Sequence, residues 1–197
     1  LDKLPQLWFD RQVLEKILIN LISNAFKYTA NGGTITVKAT KSLHQLTPSF
    51  QNELILKNQY HGKEYVFIQV ADNGIGISGD SIKHLFERFY RITDSHLGSG
   101  VGLAFVKSLT FLHKGSIWVY SERHKGAEFI IGLPVSEDDY TMDEKWMQNK
   151  KDPVVNIESL DYKYEVPVVT QLEDRKKVKD KQLIKHLLIV DDNATNR

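Results

Sequence analysis

Cysteine is missing from all 197 residues. That excludes a disulfide framework and any thiolate metal centre, and it fits a reducing compartment, so the cytoplasm is the expected location. An excess of either charge is also missing: 26 Lys and Arg stand against 25 Asp and Glu, leaving a formal net charge of +1. Such a chain has no field to hold nucleic acid or an anionic membrane surface. No apolar run approaches the roughly 20 residues that cross a bilayer, and the opening "LDKLPQLWFD" lacks the basic start and apolar middle of a signal peptide. What the length does provide is enough apolar material for one good core and a small appendage.

From Asp10, a residue type suited to an N-cap, the text "DRQVLEKILINLISNAFKYT" places Leu14, Ile17, Leu18, Leu21, Ile22, Ala25 and Phe26 at helical spacing. "NGG" at Asn31–Gly33 ends that helix, and "TITVKAT" alternates as a strand. A polar stretch from Lys41 to Lys63 is expected to be a long loop joining this strand to a second, "EYVFIQVAD". Next come a short helical pattern, "SIKHLFERFYRI", and a glycine cluster opening another helix, "LAFVKSLTFLHK", stopped by Gly115. "SIWVYSE" and "AEFIIGLP" around "RHKG" read as a closing hairpin. This order predicts an α/β two-layer sandwich, a mixed β-sheet with helices packed on one face. Residues 1–135 form that domain. Residues 136–184 are dense in both charges and poor in any period, the composition of a linker, although Trp146, Tyr162 and Tyr164 could dock on a folded surface. "PVV" at Pro153 and Pro167 is too short to count as a repeat.

Two glycine clusters suggest a nucleotide, because glycine allows positive φ and lets backbone N–H groups approach phosphate. Gly74, Gly76 and Gly79 satisfy G-x-G-x-x-G, with Asp94 about 20 residues on, as a dinucleotide fold asks. That fold also needs a parallel strand after the following helix, and "YRITDSHLGSG" offers none. The G-x-x-x-x-G-K-[ST] pattern of a P-loop is absent. In the first helix, Asn20, Asn24 and Lys27 project from neighbouring turns of one face. An asparagine carbonyl can ligate magnesium when phosphates supply the other oxygens, and a lysine beside it can meet those phosphates; alternatively both amides are bonded within the core.

An Asn-x-x-x-Asn helix, the "DNGIG" turn, the "LFERFYR" segment and the "GSGVGL" turn occur in one order. This set resembles the N, G1, F and G2 boxes in the catalytic ATP-binding domain of sensor histidine kinases, within the larger group that includes gyrase and Hsp90 and shares the Bergerat fold. The likeness extends from Leu7 to about Pro134. It implies that Asp72 accepts a hydrogen bond from the adenine amino group and that Gly74 and Gly76 let the chain fold beneath the nucleotide. Asn24 matches the family's magnesium ligand and Asn20 its companion, with Lys27 and Tyr28 as nucleotide contacts. Arg91 matches a basic residue that meets the phosphates. Phe86 and Phe89 are expected to anchor their segment by packing. Gly98, Ser99, Gly100, Gly102 and Leu103 would stand at a helix N-terminus that favours phosphate, and the stretch from about Ser78 to Leu97 would be a mobile lid. The implied cofactors are ATP and Mg2+.

Asn20 stands where ATP-hydrolysing members of the group place a glutamate, and an amide cannot serve as general base. The resemblance therefore implies phosphoryl transfer to a histidine, and none of the seven histidines falls in the family's His-containing box; His84 reads as a surface residue. The acceptor would lie on a dimerisation hairpin elsewhere in a homodimeric parent, which can be anchored in the cytoplasmic membrane. "LLIVDDN" resembles the first strand of a response-regulator receiver domain, so that residues 185–197 would begin one, with Asp191 and Asp192 binding Mg2+ and the phosphoaccepting aspartate following Arg197. A kinase core joined to a receiver is the layout of a hybrid histidine kinase that relays phosphate to a receiver aspartate. A regulatory nucleotide-binding module without transfer, and a serine kinase of the anti-sigma type, share the four boxes.

Overall fold

A computed structural model describes residues 8–92, 99–146 and 186–191. Helix α1, Arg11–Tyr28, begins where the Asp10 carboxylate accepts the N–H groups of Gln12 at 2.8 Å and Val13 at 3.3 Å, relieving two of the unpaired donors of a first turn. Val13, Ile17, Leu21 and Ala25 recur every fourth position on its buried face. Its last turn closes through Thr29 N–H to the Ala25 carbonyl, and Gly32, with φ of +81°, turns the chain back.

That turn delivers β1, Thr34–Thr40. The other strands are β2 (Asn52–Leu56), β3 (Tyr65–Asp72), β4 (Ser116–Glu122), β5 (Gly126–Pro134) and β6 (His186–Asp191). They form one sheet in the order β2-β4-β5-β3-β1-β6. The first five pair antiparallel, with Ile35 opposite Asp72 and Asp72 opposite Ala127. The sixth runs parallel to β1, from His186 opposite Thr34 to Asp191 opposite Ala39, and makes the sheet mixed. Helix α3, Gly102–Leu112, packs beside α1. Between the helices and the sheet, Ile17, Leu21, Ile35, Val70, Val106, Ile117, Val119 and Ile131 are sealed from solvent, each such burial contributing about 1.5 to 3 kcal/mol. The expected sandwich is the observed one.

The expected loop at 41–63 is more structured than its composition suggests. A single 3₁₀ turn, Leu43–Gln45, is followed by β2, which pairs with β4 from Asn52 opposite Ser121 to Leu56 opposite Ile117. Leu43 and Leu46 pack on Trp118, Ile130, Phe67 and Tyr120, so this segment covers part of the sheet face that the helices leave bare. β2 escapes a sequence reading because its partner lies far along the chain and its own text is short and flanked by polar residues. Only Gly79–Ile82 of the expected helix after β3 is helical (α2), started by Ser78 Oγ accepting the Ser81 N–H; the rest is turns.

Two compact units divide the chain: residues to 139 together with β6, and the segment 140–183. In the first, the Asp139 carboxylate is buried and takes the Tyr60 hydroxyl at 3.0 Å and the N–H groups of Lys63 and Ser136, each at 3.1 Å. Lys114 Nζ donates to the Asp139 carbonyl at 2.8 Å. This clasp lies at the Tyr65–Pro134 end of the β3–β5 pair, away from Asp72. In the second unit, a short helix α4, Met142–Trp146, opens with Thr141 and Glu144 each bonding the other's backbone N–H through its side chain. Tyr162, Tyr164 and the side chain of Trp146 lie outside the described residues.

Candidate nucleotide-binding site

Helix α1 carries Asn20, Asn24 and Lys27 on one face, all half-buried. Asn20 Nδ2 donates to the Lys16 carbonyl at 2.8 Å, and a Cβ on Gly102 would lie 2.7 Å from Asn20 Oδ1. The first helix and the mouth of α3 therefore touch at this pair. The Asn24 amide makes no hydrogen bond among the described residues, so its carbonyl oxygen is available as a hard-cation donor; the Asn20 bond to Lys16 is made through Nδ2 and leaves its own oxygen facing Gly102. Lys27 Nζ lies 5.0 Å from the centre of the Tyr28 ring and has no carboxylate partner among the described residues. A groove of about 550 Å³ runs along α1, lined by Ile19, Ile22, Ser23, Phe26 and Lys27; it shares Lys27 with this face.

Asp72 ends β3, on the helix side of the sheet. Burial pushes its carboxyl up to about 6, against the pull of the Gly74 N–H, 2.9 Å from Oδ1, and of the Ala127 N–H. Neighbouring backbone fixes the turn after it. Asn73 bonds both backbone groups of Thr34, its Oδ1 accepting the Thr34 N–H at 2.7 Å and its own N–H reaching the Thr34 carbonyl at 3.2 Å. Ile75 donates to the Tyr28 carbonyl at 3.1 Å, and a Cβ on Gly74 would overlap that same oxygen. Gly76, with φ of +62°, presses on the Glu122 carbonyl in the β4–β5 hairpin, and the Ile75 carbonyl accepts the His124 N–H at 2.7 Å. Both glycines are thus demanded by close backbone approach, Gly74 to α1 and Gly76 to the hairpin.

Helix α3 starts at Gly102 without a side-chain cap, with Leu103 half-buried in its first turn, which leaves its leading N–H groups for an anion. Ser99 is exposed. Gly100 has φ of +71°, accepts the Phe89 N–H at 3.0 Å, and has no room for a Cβ against the Phe89 backbone. Gly98 lies outside the described residues.

Of the two phenylalanines expected to anchor by packing, Phe86 is buried, but Phe89 is 55% exposed with φ of +67°. Phe89 is anchored through its backbone to Gly100 instead. The expected lid from Ser78 also begins too early, because Ile82, Leu85 and Phe86 are in the core and tie this part down. Arg91 is exposed at the end of the described stretch. Asp191 stands at the far end of the sheet from Asp72, since β6 runs from Thr34 toward Ala39; Asp192 lies outside the described residues.

The sequence reading overlooked two residues that shape this site. Gly126 has φ of +125°, and a Cβ there would overlap the Asp72 carbonyl. Ser121, fully buried in β4, accepts the Ile77 N–H at 2.9 Å and donates to the Gly126 carbonyl at 2.6 Å. The glycine in "RHKG" was a visible signal for a constrained turn; the serine had none.

Residues 9–137 match the family model described as "Histidine kinase-, DNA gyrase B-, and HSP90-like ATPase". Histidine kinase P4 of Formosa agariphila is 33% identical over 135 residues, 65% of this chain and 8% of its own length. The adaptive-response sensory kinase SasA of Synechococcus elongatus is 35% identical over 141 residues, 71% of this chain and 31% of its own. A solved structure, full-length ShkA in complex with AMPPNP, is 29% identical with a TM-score of 0.51, over 68% of this chain and 24% of that one. The chain spans less than a third of the length of each of these relatives. Residues 9–137 are an ATP-binding domain of the kind that histidine kinases carry, and the chain belongs to the histidine kinase, DNA gyrase B and HSP90-like ATPase family.

Proposed function

We propose that this domain binds ATP with magnesium and passes the γ-phosphoryl group to a histidine on a dimerisation hairpin of the same homodimeric parent, a hybrid kinase whose receiver begins at residues 185–197 and takes β6 from its place beside β1 into a sheet of its own. The observation that carries the reading is the half-buried Asp72 carboxyl at the end of β3, whose Oδ1 accepts the Gly74 N–H at 2.9 Å. A carboxyl largely withdrawn from water, with its charge disfavoured by that withdrawal, suits an amine donor, which the adenine 6-amino group supplies. Asn24, with an unengaged amide, would hold the magnesium ion, which neutralises charge on the transferring phosphates. Lys27 and Tyr28 contact the nucleotide from the same helix. Ser99, Gly100, Gly102 and Leu103 meet the phosphates at the start of α3, with Gly98 before them in the chain, and Arg91 supplies a further cation. Asn20, bonded to Lys16 and packed on Gly102, positions this end of α1 and cannot take a proton from water, so transfer is favoured over hydrolysis. Asp191 and Asp192 would hold a second magnesium ion in the completed receiver, and relay to its aspartate follows.

Calorimetric titration of ATP with magnesium tests this. Asp72→Asn should lose about 10- to 100-fold in affinity, and Asn24→Ala should abolish the magnesium dependence. Transfer from labelled ATP to an added hairpin domain should follow; binding without any transfer would leave a regulatory nucleotide module instead.

A further inference from the structure

The β4–β5 hairpin is more than a closing element of the sheet. Its turn, Glu122–Gly126, lies against the Asp72–Ile77 segment. His124 N–H meets the Ile75 carbonyl at 2.7 Å, the Ala127 N–H favours the charged Asp72 carboxylate, and Gly126 and Gly76 each lack the Cβ that would push the two segments apart. One side chain ties these parts together. Ser121 Oγ is fully buried, accepts the Ile77 N–H at 2.9 Å and donates to the Gly126 carbonyl at 2.6 Å. Its single proton and one lone pair are thereby spent on two backbone segments that never meet directly through a ladder bond at that point.

We propose that Ser121 is a positioning residue for base selection: by bridging Gly126 and Ile77 it holds the hairpin against the turn and fixes the direction in which Asp72 presents its carboxylate. The serine touches no nucleotide. It acts through Ala127, which follows Gly126 and lies opposite Asp72 in the β3–β5 register, and through Ile77, which closes the turn that Asp72 opens. Loss of the hydroxyl strands a buried N–H and a buried carbonyl, and the nearest relief is for the hairpin and turn to separate. A carboxylate that can swing tolerates a base with an acceptor in place of the 6-amino group. A fixed one repels it.

This inference rests on the reading of Asp72 as the adenine acceptor, and the test separates the two. The 197-residue chain is titrated with magnesium ATP and magnesium ITP, which differ along one edge of the purine: a 6-amine beside a bare N1 in the first, a 6-carbonyl beside an N1–H in the second. Because both affinities scale alike with the folded fraction, their ratio ignores simple destabilisation. In Ser121→Ala the preference for ATP should fall about fivefold, while Ser121→Thr, which keeps the hydroxyl, should restore most of it. Asp72→Asn should nearly abolish the preference. If Ser121→Ala keeps the parent ratio while Asp72→Asn loses it, Ser121 is structural only and the nucleotide reading stands. A ratio unaltered by Asp72→Asn overturns both.

Discussion

Replacing Asp72 by asparagine should make the nucleotide-free domain more stable at pH 8. Burial lifts the Asp72 carboxyl from 3.8 to about 6, so the folded state holds this proton more tightly than the unfolded chain does. The associated stability is fully present below about pH 4 and is lost as pH rises through 6. A displacement of about two pH units corresponds to roughly 3 kcal/mol of cost once the group is ionised. Asparagine removes that cost and keeps a carbonyl oxygen for the Gly74 N–H. Its NH₂ gains no partner there, which costs about 1 kcal/mol. The net gain is then about 2 kcal/mol, or roughly 6 °C in Tm for a domain of this size. Thermal unfolding followed by circular dichroism, without nucleotide, should show this gain at pH 8 and almost none near pH 4.5, where the aspartate in the folded state is already protonated. An asparagine variant that is no more stable at pH 8, or equally stabilised at both pH values, would refute the burial argument. The same titration implies that ATP affinity weakens as pH falls through about 6, because the protonated carboxyl is the poorer acceptor.

Three further outcomes follow from the packing. Gly126→Ala drives a Cβ into the Asp72 carbonyl at φ of +125° and should cost about 3 kcal/mol or more in urea unfolding; a loss within 1 kcal/mol would mean that the hairpin does not press on the turn. Asp139→Ala leaves the N–H groups of Lys63 and Ser136 without their side-chain acceptor and the Tyr60 hydroxyl with the Asp139 carbonyl alone, and should cost about 2 to 3 kcal/mol, with ATP affinity unchanged because Asp72 lies at the other end of the sheet. His124→Gly relieves a non-glycine residue at φ of +67° and should gain about 0.5 to 1 kcal/mol by the same measurement.

How much of this was legible in the text depended on how local the determining contact is. Helix α1 was readable because its cap, its period and its stop all lie within the segment itself. The β4–β5 hairpin was readable for the same reason, and so was the position of Asp72 at a strand end. β2 was not, since Asn52–Leu56 becomes a strand only by meeting Ser121–Ile117 across the sheet. Phe89 was misjudged because aromatic side chains are buried on average, whereas this one is turned outward by the backbone bond to Gly100. The glycines of the two clusters were recognised as permissive, but what they permit, contact with Tyr28, Glu122 and Phe89, belongs to tertiary structure. Ser121 is an unremarkable letter in an alternating strand, and its meaning comes entirely from two backbone atoms that the fold brings to it.

The Asp139 clasp has a mechanical consequence. Beyond β5 the chain leaves the sheet at Pro134, and the next few residues are pinned by a carboxylate that holds one hydroxyl and two amides, with Lys114 gripping the carbonyl behind it. A pull applied at Tyr140 therefore loads this anchorage first, at the pole of the sheet remote from Asp72, and the strand that shapes the nucleotide end feels tension only after the anchorage has yielded. The domain is strain-relieved at its exit, as a cable is at its socket.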